Sequence, residues 1–532
     1  METAEPHQAL KAAGVVREYQ GFHVIFVSHQ WCGRSHADPH FRQLRILQMA
    51  FRRVAEGAIN ISVDMFTRAI FKAKPSLRPS DVTNIAQWDM WYDFFSVPQP
   101  GAPVAESSQH VDLDGDLGKA VASLSHYVSS SKLFVVLAPS VEHDEGHVID
   151  YFSWMARGWC RFERLARQMS PASTSMLLVK RPDVLIEIGA QDYLLDPVGM
   201  GNFSVEADRS RLAPIVRALV EEKMQGLLDE GRLDDFRMLS SWSSMLVRGP
   251  SGAGASSCSL PWRPFDADLY GPMRLGIAAG LGNTALMESL LKGGRANVAH
   301  AMARNMSDWN ILAGERAMHL AASHGHIAAI SLLLDHRGCV NSTDRSPLML
   351  AAACGHTATA ALLLDQRADI EARSRACFTA LSHAAMFGRA DVVEVLLAKR
   401  ADIRPNEERI TALHDGVAFR AGEQVVRSLI AGRVSMEAQI TPRRGSVPWM
   451  LLASLSWSYH LGGRSFFSLV GYHGWSTTAL MLAVMFDNRS ALLELLRQRA
   501  DPLATNSSGT NSMQLADIFG TTFPAPDPRG SS

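Results

Sequence analysis

The chain of 532 residues is 47% hydrophobic and 20% charged, an ordinary globular composition with room for two or three domains at about 100–200 residues each. Lys plus Arg (52) nearly cancels Asp plus Glu (53), which gives no basic footprint for nucleic acid. Six cysteines (Cys32, Cys160, Cys258, Cys339, Cys354, Cys377) lack framework spacing, which argues against a disulfide-stapled secreted fold and suits a reducing, cytoplasmic setting. The opening METAEPHQALKAAG is polar and has no signal-like apolar run, so 1–19 reads as a polar N-terminal segment.

Residues 20–240 read as one α/β domain. Phe22–Ser28 is a short apolar run rich in β-branched residues, hence a buried strand. A helix follows over Pro39–Val54, with Leu44, Leu47, Phe51 and Val54 on one side. Trp88–Phe95 reads as a second strand, Leu117–Val128 as an amphipathic helix and Leu133–Ala138 as a third strand. Phe152–Met169 is a helix carrying Gly158-Trp-Cys-Arg-Phe-Glu163, Ser175–Val179 is a fourth strand, and Ala213–Phe236 is a closing helix. Alternating helices and fully apolar strands predict a parallel sheet covered on both faces. Ligands in such folds collect at the carboxyl ends of the strands.

Four places in this order resemble a Toll/interleukin-1 receptor (TIR) domain over residues 20–190, a flavodoxin-like parallel sheet. They are the strand ending in Ser28, the strand ending in Asp93, the pair ASLSHYVSSSKLFVVLAP and the Trp159-Cys160-x-x-Glu163 helix. The loop HQWCGRSHADPH and the excursion at 56–86 depart from the family pattern. Some TIR domains cleave NAD, and the resemblance places the catalytic carboxylate at Glu163, with Ser28, Trp31, Asp93 and Trp159 as candidates around the dinucleotide. A carboxylate there would stabilise an oxocarbenium-like transition state. The competing reading makes Trp159 and Phe162 core residues and Glu163 a solvated helix carboxylate. A non-enzymatic TIR-like module that associates with its own kind leads on that reading.

Two metal patterns were weighed. His29-x-x-Cys32-x-x-x-His36-x-x-x-His40 has zinc-type ligands, but convergence of all four needs a tight loop. His143-Asp-Glu-Gly-His147 lacks the continuous helix of a zinc protease and reads as a loop. No metal is expected at either.

Residues 241–267 are a Gly/Ser/Pro linker. Its GPSGAG lacks the Lys-Ser/Thr of a phosphate loop. Beyond it the sequence repeats: Ala317-Met-His-Leu-Ala-Ala-Ser-His-Gly-His326, Pro347-Leu-Met-Leu-Ala-Ala-Ala-Cys-Gly-His356 and Ala380-Leu-Ser-His-Ala-Ala-Met-Phe-Gly388, each followed by a Leu/Val-rich helix. These closely resemble ankyrin repeats, whose alanines let helices approach and whose glycines end the first helix at positive φ. Histidines such as His319 and His414 read as structural ties. Weaker units begin near Pro272, Thr411 and Thr478, so 268–520 is an all-α ankyrin-repeat solenoid of about six or seven repeats.

Within it, 441–474 reads as a decayed or expanded repeat, with a plain insertion as the alternative. Gly445–Gly463 and Ser465–Phe486 lack Asp, Glu, Lys and Arg apart from Arg464 between them, yet their Pro, His and Ser content speaks against a bilayer span. Residues 521–532 read as a disordered tail. Such a solenoid offers an extended surface for a protein partner, centred here on 310–430. Two functions follow: a scaffold or signalling protein with a TIR-like head, or an NAD hydrolase acting through Glu163 with NAD as substrate.

Overall fold

A computed structural model describes residues 7–15, 23–34, 36–59, 61–63, 84–96, 113–170, 176–188, 197–233, 235–236, 239–240, 246, 271–294, 296–302, 314–341, 345–374, 377–404, 406, 409–419, 421–460 and 466–524. The 241–267 linker, apart from Leu246, lies outside them, as do most of the 56–86 excursion and the tail from 525. The described residues form two compact units, a head before residue 247 and a helical stack from residue 271 onward.

The head is built on β1 (Val24–His29), β2 (Ile61–Val63), β3 (Asp89–Tyr92), β4 (Leu133–Leu137), the two-residue β5 (Val141–Glu142) and β6 (Val148–Ile149), β7 (Met176–Arg181) and β8 (Val184–Ile188). Its six-stranded sheet runs β2-β8-β7-β4-β1-β3. The four expected strands are present as β1, β3, β4 and β7, all mutually parallel in the order β3-β1-β4-β7. Every residue of β1 and β4 is buried, as continuous apolar runs in a central position should be.

The expectation of a wholly parallel sheet is corrected at one edge. Arg181 pairs with Val184 around Pro182-Asp183, so β8 returns antiparallel to β7. A two-residue connection can join only antiparallel strands. β2, from the excursion, then pairs parallel to β8 at the far edge, and the sheet is mixed.

A second correction concerns the helix expected over 152–169. It is two helices, Tyr151–Ala156 and Gly158–Met169, broken at Arg157, whose ψ of 133° is extended. The first begins with a capping box in which Asp150 Oδ1 accepts the Phe152 and Ser153 amides, each at 2.9 Å, and Ser153 Oγ accepts the Asp150 amide at 2.8 Å. The break exists because the 197–203 segment crosses there. Gly158 N donates to Asn202 O at 2.8 Å, and Asn202 N donates to Ala156 O at 2.7 Å. A Cβ on Gly201 would stand 2.4 Å from Gly158 Cα, so glycine at 201 lets the two backbones approach this closely.

The helix Ala207–Asp229 packs against Gly158–Met169, burying Leu212, Val216, Val220, Met224 and Leu227 at spacings of one helical turn.

The stack consists of helix pairs. They are Gly271–Gly280 with Thr284–Lys292, Ala317–Ser323 with Ile327–Asp335, Pro347–Cys354 with Thr357–Asp365, Ala380–Met386 with Ala390–Ala398, and Ala412–Phe419 with Glu423–Ala431. Ala479–Met485 with Arg489–Arg497 follows, and Ser512–Phe519 closes the end. One continuous core runs through it from Leu275 to Phe519.

The 441–474 segment holds a further pair, Val447–His460 and Phe466–His473. It is not a layer of the stack. Ala412–Phe419 packs directly on Ala479–Met485, and Glu423–Ala431 on Arg489–Arg497. Backbone bonds between Ile440 N and Thr477 O (3.0 Å) and between Ser476 N and Ile440 O (2.8 Å) close the neck of the excursion. The decayed-repeat reading therefore gives way to its alternative, a helical hairpin inserted between adjacent repeats. Among the described residues no helix is long and apolar enough to cross a membrane.

Candidate functional site

At the carboxyl ends of β1 and β3 the head gathers its polar side chains. Val27 and Tyr92 are register partners, so the next residues, Ser28–His29 and Asp93, meet where the parallel strands end. His29 Nε2 donates to Asp93 Oδ1 at 2.7 Å, and Trp31 Nε1 donates to Asp93 Oδ2 at 2.7 Å. The other imidazole nitrogen, Nδ1, lies 3.2 Å from Gln30 O and 3.1 Å from Tyr92 Oη. The Tyr92 ring stacks on the imidazole, with centroids 3.9 Å apart.

Burial alone would push the His29 pKa down, but the Asp93 carboxylate more than offsets it and the pKa is raised. The imidazole of this His29–Asp93 pair is 1% exposed and the carboxylate 34% exposed. Solvent therefore reaches it through Asp93.

Glu163, on the Gly158–Met169 helix, completes the cluster. Burial pushes its carboxyl up to about 8, although a hydrogen bond from Ser28 and the charges of His29 and Arg157 pull the other way. Ser28 also accepts the Trp154 indole N–H at 2.9 Å. Cys160, one helical turn before Glu163, donates its thiol to His29 O at 3.7 Å, and burial raises its pKa well above the ordinary thiol value. At neutral pH the centre therefore holds a largely protonated carboxyl group beside the hydrogen-bonded His29–Asp93 pair.

Of the candidates from sequence, Ser28, Trp31, Asp93 and Glu163 come together. Trp159 is aimed elsewhere: its indole donates to Asp208 Oδ2 at 3.0 Å, in the following helix. That bond directs the Trp159 indole toward the Ala207–Asp229 helix and away from the Ser28–Asp93–Glu163 cluster. His29, Tyr92 and Trp154 were missed as members. The available signal was position, since each of His29 and Tyr92 sits at the end of an apolar strand.

The four-residue zinc pattern does not converge. His29 serves Asp93, Cys32 Sγ lies 2.6 Å from Gln43 Nε2, His36 Nδ1 accepts the Asp38 amide at 3.0 Å, and His40 Nε2 lies 3.8 Å from Asp144 Oδ1. Burial drives the Cys32 thiol up to about 12, opposite to what a metal thiolate needs. His143 and His147 lie on the β5–β6 hairpin, as the loop reading expects, which excludes a helical zinc-protease motif.

In the stack, polar chemistry recurs instead of concentrating. His326 Nε2 meets Gly280 O at 2.9 Å, His356 Nε2 meets Ser323 O at 3.0 Å, and Arg389 Nε donates to Ala353 O at 2.9 Å. Each ties one repeat to the repeat before it. His414 accepts the Thr411 amide at Nδ1 (3.1 Å) and meets Ala438 O at Nε2 (2.9 Å). His319 Nδ1 likewise accepts the Arg316 amide at 3.0 Å. Both are the structural ties expected.

Residues 275–374 match the model for ankyrin repeats in three copies, and residues 377–407 match the model for a single ankyrin repeat. These segments are ankyrin repeats. The crystal structure of the human ASB11 ankyrin repeat domain is similar over 48% of this chain and 93% of that chain, at 19% identity and a TM-score of 0.33. No curated protein sequence matches the chain. Ankyrin repeats bind proteins through an extended, stepwise surface. Here Arg373, Arg404 and Arg409 stand exposed in successive connections between ankyrin helix pairs.

Proposed function

We propose that this chain is a cytoplasmic scaffold protein in signalling: its ankyrin repeats hold a protein partner, and a TIR-like head relays the contact by associating with its own kind. The observation that carries the reading is the continuous ankyrin core, whose helix-pair connections expose Arg373 and Arg409. The TIR-like assignment draws support from the parallel order β3-β1-β4-β7 and from the meeting of Ser28, Asp93 and Glu163 at the strand ends. The test is cross-linking capture on the full chain, repeated with Arg373→Glu/Arg409→Glu. A discrete partner lost by that variant and kept by Glu163→Gln supports the reading. A partner retained by the charge-reversed variant, or none, sinks it.

One observation favours a second reading, an NAD hydrolase. The Glu163 carboxyl sits at the carboxyl ends of the strands beside the His29–Asp93 pair, which is open to solvent through Asp93. A nicotinamide ring is cationic and would lower the Glu163 pKa on arrival, giving the carboxylate that an oxocarbenium-like transition state requires. Following nicotinamide release from NAD by the full chain separates the two. Turnover abolished by Glu163→Gln establishes the enzyme. No turnover even at high protein concentration leaves only the scaffold.

A further inference from the structure

The β5–β6 hairpin closes through three residues, Asp144, Glu145 and Gly146, with Gly146 at φ +81°. This is the three-residue hairpin that places glycine in the left-handed position. Val141 pairs with Ile149 and Glu142 with Val148, so His143 lies opposite His147, and the His143 amide donates to His147 O at 2.8 Å. Side chains at such opposite positions start from Cβ atoms about 4.5–5.5 Å apart. The two imidazoles stack with centroids 4.3 Å apart. Glu145 folds back toward them, its Oε2 3.9 Å from His143 Nδ1. One ligand atom from each of the three residues lies within 4.8 Å of the other two.

We propose that His143, Glu145 and His147 form a binding site for a divalent transition-metal ion, with zinc as the reference ion. His143 Nδ1 accepts the Glu145 amide at 3.1 Å, so this nitrogen carries a lone pair and lies 3.9 Å from Glu145 Oε2. A cation arriving there would take that lone pair in place of the amide proton. Zinc bonds to nitrogen and carboxylate oxygen at about 2.0–2.2 Å, which needs ligand atoms about 3.2–3.5 Å apart. Side-chain rotation of the exposed Glu145 and His147 covers the remaining ångström or so.

The base of the loop is held in place. Val141 and Ile149 pack with Cys32, and Asp144 N donates to Cys32 O at 2.8 Å. Arg34 pairs with the other carboxyl oxygen of Glu145, leaving Oε2 for the metal. Two imidazoles and one carboxylate suit zinc, copper or nickel, whereas calcium and magnesium prefer oxygen-only shells. Three protein ligands leave a coordination position for water or a further ligand. None of the three belongs to the Glu163 cluster, so the proposal stands apart from either function above.

Zinc chloride titrated into the full chain against a colorimetric chelator tests it. The wild type should bind an equivalent that His143→Asn/His147→Asn loses, and Glu145→Gln should weaken it at least about 10-fold. His36→Asn/His40→Asn should leave it unchanged. Equal zinc binding by the hairpin double variant, or none by the wild type, would overturn the site. Labelling of wild-type histidines with diethyl pyrocarbonate gives a readout that needs no variant. Zinc should protect His143 and His147, and equal labelling with and without zinc contradicts the proposal.

Discussion

His414 in the stack and His29 in the head are buried and His356 is half-buried, but they face different partners. In the stack the rings meet backbone carbonyls, and burial holds both pKa values down to about 4. These histidines are neutral ties. In the head, the Asp93 carboxylate outweighs burial, and His29 is raised. The stack distributes one modest bond per repeat, whereas the head concentrates a histidine–carboxylate bond, a thiol and a carboxyl group at the ends of two strands. Recurring polar chemistry marks architecture, and chemistry gathered at one place marks a candidate site.

That contrast can be strained by substitution, and Leu396→Ala should have the largest effect. Leu396 is fully buried between ankyrin layers, and the cavity should cost about 2–5 kcal/mol, read as an earlier urea transition. Because repeats support only their neighbours, hydrogen exchange should rise across the adjacent repeats and leave the head unaltered.

Glu163→Gln comes next and acts through pH. A folded pKa of about 8 against an ordinary 4.5 means that the unfolded chain sheds its proton first as pH rises. The head therefore loses stability from about pH 4.5 up to about 8, by on the order of 5 kcal/mol. The amide variant should flatten that slope in urea titrations, and an unchanged slope would show that Glu163 is not held neutral. The raised His29 acts in the same direction. The stack histidines act oppositely: their depressed values mean stability is lost as pH falls from about 6.5 to about 4. Asp415, raised by burial to about 7, offsets part of this.

His356→Ala removes one inter-repeat bond and strands the Ser323 carbonyl, a loss of about 1–2 kcal/mol by urea unfolding. Arg389→Ala should match it, since Arg389 fills the equivalent slot one repeat later. The smallest effect belongs to the exposed Lys399–Asp365 pair, 2.7 Å apart on neighbouring repeats. Lys399→Ala should shift stability by about 0.5 kcal/mol or less.

The repeats were legible because their signals are local and recur. Alanine pairs, glycines and histidines return at near-constant spacing, and each meets the same surroundings. The insertion was not legible by spacing, because Ala412 to Ala479 spans about two periods whether the intervening chain stacks or loops out. The direct packing of Ala412–Phe419 on Ala479–Met485 decides it, and the bonds between Ile440 and residues 476–477 close the neck. In the head, Ser28, Asp93 and Glu163 could be found from strand ends and the Trp159-to-Glu163 motif. Trp159 could not be placed, since its direction depends on the helix break where the 197–203 backbone crosses at Gly158. The antiparallel β8 was signalled by Pro182-Asp183 between two apolar runs, a turn that strand-by-strand reading passed over.

The central claim is that the ankyrin surface, and not the head, holds the partner. Hydrogen exchange of the full chain with and without its captured partner tests this directly. Protection confined to 310–430, with amides of residues 24–188 unchanged, is the predicted result. Protection in the head and none in the repeats would contradict the account.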